Sequence, residues 1–162
     1  MTRLPGALCA FAACVAAGMA FAAKYREKEK RLTLWERSLY RLKNAAETGG
    51  MTLPMMLRYV GENRVLAFGA ELMEQEPAMP PEKWLSALPP EDGLPPDIRV
   101  LLRETLRSLF DYPSLRQVQA LDRGIGEYLP LRKREKEKNE KNAALAWRLG
   151  LLGGAALFIV LC

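Results

Sequence analysis

The side chains that most often carry out chemistry are scarce in this sequence. There is no histidine, which removes the commonest general base and the commonest metal ligand. The three cysteines are Cys9, Cys14 and Cys162, and this spacing suits neither a disulfide framework nor a zinc site. The Gly-Ile-Gly at 124–126 is too short to indicate a phosphate-binding loop. We therefore expect a protein without catalytic residues, cofactor or metal.

Two apolar segments lie near the ends of the chain. Residues 4–23 carry no charge, and as a helix they would extend roughly 30 Å, the thickness of a bilayer core. Residues 143–162 reach a similar length only if Trp147 and Arg148 sit at the membrane interface, where an indole and a snorkelling guanidinium are favoured. The patterns predict transmembrane anchors at 1–23 and 143–162. A buried core helix is the alternative for the second.

A cleavable signal peptide is the alternative for the first segment. Arg3 supplies a positive start, and the Ala-Phe-Ala at 20–22 has small residues where a signal peptidase reads them. The segment runs directly into the basic cluster at 24–31, however, and such a cluster resists translocation. We expect a retained anchor, with Lys24 and Arg26 at the interface.

The basic residues also predict an orientation. Five of them lie within 24–31 and seven within 132–148, against Arg3 alone beyond the two segments. Basic residues near the ends of membrane spans stay cytoplasmic. This predicts that both chain ends face outward and that residues 24–142 form a cytoplasmic domain.

The domain at 24–142 has helical spacing of apolar residues, with recurrences every three or four positions. We expect Gly49-Gly50 to end its first helix and Thr52 to cap the second. Asp97 and Ser114 are expected to cap later helices. The residues that define the first and a later apolar stripe are Leu32, Trp35, Leu39, Leu42 and Ala46, then Ile98, Leu101, Leu102, Thr105, Leu106 and Leu109.

Prolines and glycines predict the breaks. Residues 76–96 hold seven prolines, which indicates a connecting loop with room for one short helix at 81–88. A Pro-rich ligand site is the alternative. Gly124 and Gly126 are expected to weaken the last helix locally, and Pro130 to kink or interrupt it.

The charged run at 132–141 alternates in sign and predicts a solvated helical stalk. Nucleic-acid binding would need aromatic residues among the basic ones, on which bases could stack. The sequence has none between Arg132 and Ala146, so we expect no nucleic-acid partner.

Three stretches carry a family resemblance. The most specific is the end of the chain, where the EKNEKN at 137–142 is followed by WRLGLLGGAAL at 147–157. Residues 31–42 look like the first cytoplasmic helix of the same family. Residues 109–117 are similar to a further stretch of that family, whose final glutamine is matched by Gln117. In these features the chain resembles the stage III sporulation protein AB family. The Pro-rich stretch at 76–96 departs from it.

The resemblance implies an all-α fold: a helical bundle similar to the cytoplasmic domain of the type II secretion platform protein, with an apolar anchor helix at each end. It implies a non-enzymatic platform component of a sporulation-specific, secretion-like complex in the cell membrane or the mother-cell membrane around the forespore. The implied partners are other stage III sporulation proteins, above all a cytoplasmic secretion-type ATPase. A generic membrane-anchored adaptor and a secreted helical protein with a cleaved signal peptide are the alternatives.

Two partner surfaces are candidates on the residues themselves. The first is the charged run, with Lys133, Lys136 and Lys138, because charge steering speeds encounter. The second is Trp84 in the Pro-rich loop, because aromatic residues are over-represented at interface hot spots. The alternative for Trp84 is packing over the domain's own core.

Overall fold

The structure is a computed structural model that describes residues 3–90, 93–111 and 114–161. The described part of the chain is helical and contains no strand, which confirms the predicted all-α class. The six helices are α1 (Arg3–Thr48), α2 (Leu53–Tyr59), α3 (Arg64–Gln75), α4 (Pro81–Ala87), α5 (Pro96–Asp111) and α6 (Ser114–Leu161).

The first and last helices are far longer than the others. Helices α1 and α6 contain 46 and 48 residues, about four times the average helix of a globular protein. The chain divides into two compact units: a first unit of residues 1–30 and 134–162, and a second unit of residues 31–133. Each long helix therefore contributes to both units.

Glycines end α1, as predicted. Gly49 and Gly50 have φ angles of +70° and +77°, in the left-handed region that glycine adopts without steric cost. Thr52 occupies the N-cap position of α2 with a proline in the first turn, but its side chain makes no capping hydrogen bond.

Helix α3 has a cap that the sequence analysis did not predict. The side chain of Asn63 accepts a hydrogen bond of 3.1 Å from the amide of Val65, and its amide group donates one of 3.2 Å to Ser38 Oγ. Asn63 is buried, and the two bonds satisfy both ends of its side chain, as burial of a polar group requires.

The structure corrects the predicted cap at Asp97 and does not describe the side chain of the predicted cap at Ser114. Helix α5 begins at Pro96, so Asp97 lies in its first turn and not at the N-cap. A proline at the first helical position needs no amide partner, which suits a start at Pro96, two residues before the Ile98 that a cap at Asp97 would imply. Helix α6 begins at Ser114, but the side chain of Ser114 and the corner at 112–113 lie outside the described residues.

Of the two effects predicted for Pro130, a kink or an interruption of α6, the structure excludes the interruption. The helix runs through it without a break. In the second unit its flanks are held against α1: Tyr128 donates a hydrogen bond to the carbonyl of Leu32 at 2.8 Å, and Arg132 pairs with Glu36. These contacts offset the single backbone hydrogen bond that a proline removes.

The second unit has one continuous hydrophobic core. The predicted stripes of α1 and α5 supply much of it, and Thr105 joins them as a buried polar residue. The buried apolar residues of the cluster are Leu32, Trp35, Leu39, Leu42, Ala45, Ala46, Met56, Leu57, Val60, Leu66, Ala70, Trp84, Leu94, Ile98, Leu101, Leu102, Leu106, Leu109, Leu121, Ile125 and Tyr128.

The first unit pairs the two apolar segments through small residues. A Cβ atom built on Gly18 would lie 3.1 Å from the Cα of Gly150, and one built on Gly154 would lie 2.9 Å from the ring of Phe11. Because later residues of α1 meet earlier residues of α6, the two segments run antiparallel. Small residues that let two backbones touch are typical of helix pairs in membranes.

Both long helices have the length and apolar composition needed to cross a membrane. Of their most apolar windows, only 17% of the α1 window and 6% of the α6 window is buried within the protein. A core helix of a soluble protein would be mostly buried. The exposed apolar surface therefore disfavours the alternative of a C-terminal core helix.

Candidate partner-binding surfaces

Trp84 is not a surface residue. Its side chain is 1% exposed, its Nε1 donates a hydrogen bond of 2.8 Å to the carbonyl of Gly69, and its ring meets that of Phe110 edge-on at 5.1 Å. This corrects the expectation that Trp84 contacts a partner and agrees with the alternative of packing in the domain's own core. The spacing of α4 could not show which side of the short helix faces inward.

The three predicted lysines of α6 are exposed. Lys136 lies 3.9 Å from Glu140 and Lys138 lies 3.5 Å from Glu135. Pairs this exposed contribute little to stability, so the lysines remain available to an acidic partner. Lys133 belongs to the second unit and the other two to the first.

The predicted interface residues Lys24, Arg26, Trp147 and Arg148 are also exposed. Arg26 and Trp147 help to line a groove of about 870 Å³ within the first unit, and the rest of its lining comes from apolar and polar residues of α1 and α6. Its lining includes Met19, Ala22, Tyr25, Arg26, Asn139 and Trp147. Their place at a membrane interface stays a prediction.

The second unit has a groove that the sequence analysis did not predict. It consists of two adjoining lobes of about 270 Å³ and 70 Å³, which share Trp35, Val65 and Pro90. We call it the arginine-rimmed groove. Its apolar floor is formed by Trp35, Val65, Leu94, Leu102 and Leu106, and its rim carries Arg31, Arg64, Arg99 and Arg103.

Four separate parts of the chain build this groove, and the first of them is α1, which supplies Trp35. Arg64 begins α3 directly after the Asn63 cap, which fixes where the helix starts. Arg99 and Arg103 are four residues apart on α5, so they lie on one helical face. Pro90 belongs to the connection between α4 and α5. The spacing of Arg99 and Arg103 is the one signal in the sequence that pointed to this surface.

The charge of the groove is uneven. Among the described residues, Glu62 is the only acidic one in the lining of either lobe, and its carboxylate lies 3.0 Å from Arg41 Nη2. Within the part of the chain that the structure describes, Arg64, Arg99 and Arg103 form no ion pair. The groove therefore combines an apolar floor with three guanidinium groups, of Arg64, Arg99 and Arg103, that no described acidic residue pairs.

Metal-binding side chains do not gather on these surfaces. No group of three or more cysteine, aspartate or glutamate residues that could hold a metal ion occurs among the described residues. The chemistry that the surfaces offer is that of binding: apolar contact, hydrogen bonding and charge.

Comparison with known proteins decides the family. The model of the family described as stage III sporulation protein AB matches residues 3–162, essentially the whole chain. The chain belongs to the stage III sporulation protein AB family. No match was found among curated proteins or among solved structures. The family consists of components of a sporulation complex and is not a known enzyme family, and it implies other stage III sporulation proteins as partners.

Proposed function

We propose that this protein is a non-enzymatic membrane platform of a sporulation-specific, secretion-like complex, and that it positions a cytoplasmic secretion-type ATPase at the mother-cell membrane around the forespore. The observation that carries the proposal is the family match over residues 3–162. A match of this extent includes both apolar segments and the helical unit between them.

The architecture supports a platform role. Two paired apolar helices form one unit, and a compact helical unit with its own core forms the other. We infer that the first unit spans the membrane and that the second has a fold like the cytoplasmic domain of the type II secretion platform protein. Such a protein would act by holding a partner in place, which requires surfaces and no catalytic residues.

Retention of the first segment is part of the proposal. Phe11, Cys14 and Gly18 of α1 pack against Gly150 and Gly154 of α6. Cleavage near residue 22 would remove this pairing and leave the apolar face of α6 without its partner. The packing thus supports a permanent anchor over a cleaved signal peptide.

A labelling experiment tests the orientation. A cysteine introduced near Gly93, at the exposed position of Asp97, in a chain whose native cysteines are replaced by alanine, should react with a membrane-impermeant thiol reagent only after the cells are opened. The matched control is a cysteine at Thr2, on the opposite side of the predicted membrane, which should react in intact cells. Labelling of the cysteine at position 97 in intact cells would contradict the cytoplasmic placement.

A binding experiment tests the partner. The full chain in detergent should retain the cytoplasmic secretion-type ATPase of the same organism, and reversal of Lys133, Lys136 and Lys138 to glutamate should weaken retention, more strongly at low salt. The control carries the same change of charge elsewhere, at Arg37, Arg58 and Lys83. Equal retention by both variants would remove the α6 lysines from the proposal, and no retention by the unaltered chain would remove the ATPase.

A further inference from the structure

We propose that the arginine-rimmed groove holds an acidic segment of a partner protein, with one large apolar side chain of that segment inserted between Trp35 and Val65. The inference rests on the proposed function only in that the protein works by holding a partner. It names the surface and the chemistry of what binds, and it does not require that the partner be an ATPase.

Charge is the first argument. Arg99 and Arg103 are exposed on α5 and form no ion pair within the described part of the chain, whereas Arg107, one turn further along the same helix, lies 3.0 Å from Glu82. Arg64 adds a third exposed guanidinium from α3. Guanidinium groups match carboxylates in geometry and can bind them with two parallel hydrogen bonds. Carboxylate side chains are therefore the complementary ligands.

Volume is the second argument. The larger lobe, of about 270 Å³, exceeds the roughly 150 Å³ of an apolar cavity that accepts benzene. It can take the side chain of one leucine or phenylalanine. The smaller lobe, of about 70 Å³, cannot take a second one. A single apolar anchor surrounded by polar contacts is the usual arrangement at the centre of a protein interface.

The floor of the groove argues against a nucleic acid. Binding of single-stranded nucleic acid uses exposed aromatic faces on which bases stack. In the described part of the chain, Trp35 is the only aromatic residue of the lining, and it is 4% exposed. A ring this buried offers no stacking platform, which favours a peptide.

One acidic pair of the chain itself bears on this argument. Glu91 and Asp92 follow Pro90 in the sequence and lie outside the described residues. If they compete for the arginines, their removal must strengthen the binding of an acidic peptide. The experiment below therefore includes a variant of this pair.

The test uses the full chain in detergent micelles and a fluorescein-labelled peptide of twelve residues, with glutamates flanking a central Leu-Phe, followed by fluorescence anisotropy. We expect saturable binding that weakens as salt is raised. Replacement of the glutamates by glutamine, or of Leu-Phe by Ser-Ser, should each lower the affinity at least about fivefold, since about 1 kcal/mol of lost interaction corresponds to that factor.

Matched arginine variants locate the site. R103Q should lower the affinity about threefold to fivefold, as expected for an exposed charge pair, and R99Q/R103Q should lower it further. R107Q removes the same charge from the same helix and should leave the affinity unchanged. E91Q/D92N should bind the peptide equally or more tightly.

Four results would overturn the proposal: no binding up to about 1 mM peptide, an equal loss in R107Q and R103Q, weaker binding by E91Q/D92N, or displacement of the peptide by a single-stranded oligonucleotide at lower concentration than by unlabelled peptide. The peptide assay contains no ATPase. Failure of the ATPase experiment with peptide binding intact would therefore overturn the proposed partner and leave the groove in place.

Discussion

The hydroxyl group of Tyr128 donates a hydrogen bond of 2.8 Å to the backbone carbonyl of Leu32, 96 residues earlier in the chain. Tyr128 is fully buried and Leu32 is 1% exposed. One turn further on, Arg132 bonds to Glu36 and to Thr33. These contacts fasten α6 to α1 at the edge of the second unit, on both sides of Pro130.

The first prediction concerns this hydrogen bond. Tyr128→Phe keeps the ring and removes the hydroxyl, so the free energy of unfolding should fall by about 0.5–1.5 kcal/mol, the usual net value of such a bond. Chemical denaturation of the full chain in detergent would measure it. Tyr40→Phe, at a ring that is 41% exposed, is the control and should change stability little. Equal effects of the two substitutions would show that the buried bond contributes nothing.

The second prediction compares two glycines of α6. A Cβ atom on Gly124 would lie 2.6 Å from Thr105 Oγ1, whereas one on Gly126 would have nothing within 4 Å. Thr105 is buried, and its hydroxyl donates a hydrogen bond of 2.8 Å to the carbonyl of Leu101, so it cannot move aside without loss. Gly124→Ala should therefore destabilise the protein by about 1–3 kcal/mol, and Gly126→Ala should stabilise it by up to about 1 kcal/mol.

The double variant T105A/G124A provides the internal check on the second prediction. Removing the threonine side chain makes room for the new methyl group, so the double variant should be more stable than G124A alone. If instead the two losses add, Thr105 is not what excludes a side chain at position 124. Thermal unfolding followed by circular dichroism is sufficient to distinguish the two results.

Much of the helical pattern could be predicted from local sequence. The three-four spacing of Leu32, Trp35 and Leu39 placed one face of α1 in the core, and Gly49-Gly50 marked its end, because these signals act within one or two turns. The extent of the long helices could not be predicted in this way. The sequence analysis placed a domain boundary after residue 23 and expected Pro130 to kink or interrupt the last helix, whereas α1 and α6 are each continuous through these positions.

The surfaces were harder to predict for a physical reason. Trp84 is buried because Gly69 of α3 leaves space for its ring: a Cβ atom there would lie 2.5 Å from Trp84 Cζ2. That complementarity joins two residues from different helices, and no periodicity within α4 contains it. The arginine-rimmed groove likewise exists only once α3 and α5 are folded around Trp35.

The third prediction tests the pairing of the apolar segments. A Cβ atom on Gly150 would lie 3.0 Å from both the carbonyl oxygen of Cys14 and the Cα of Gly18, which are backbone atoms that cannot rotate away, whereas one on Gly153 would have nothing within 4 Å. Gly150→Ala should therefore lower thermal stability in detergent, by about 1–3 kcal/mol if the helices must separate. Gly153→Ala makes the same chemical change three residues away and should not. Indistinguishable melting of the two variants would contradict the close backbone contact.

The last prediction concerns pH. Lys43 Nζ lies 2.6 Å from Asp122 Oδ1 and 3.5 Å from Glu47 Oε1, and the hydrogen bond to Asp122 raises the pKa of Lys43 above its ordinary 10.5. The folded protein thus holds this proton more tightly than the unfolded chain does. The stabilisation that follows is complete below pH 10.5 and is lost as the pH rises through the higher pKa of the folded state.

Lys43→Met should therefore be less stable than the unaltered protein at neutral pH, and the difference should shrink above pH 10.5. Other groups titrate in the same range, so the comparison requires a matched lysine. Lys133→Met is suitable, because Lys133 is exposed and forms no ion pair within the described part of the chain, so it makes the same chemical change without removing such a contact. Denaturant midpoints for all three proteins between pH 7 and pH 11.5 would give both curves. If the stability difference between K43M and the unaltered protein has the same pH dependence as that of K133M, the contacts of Lys43 with Asp122 and Glu47 do not stabilise the fold.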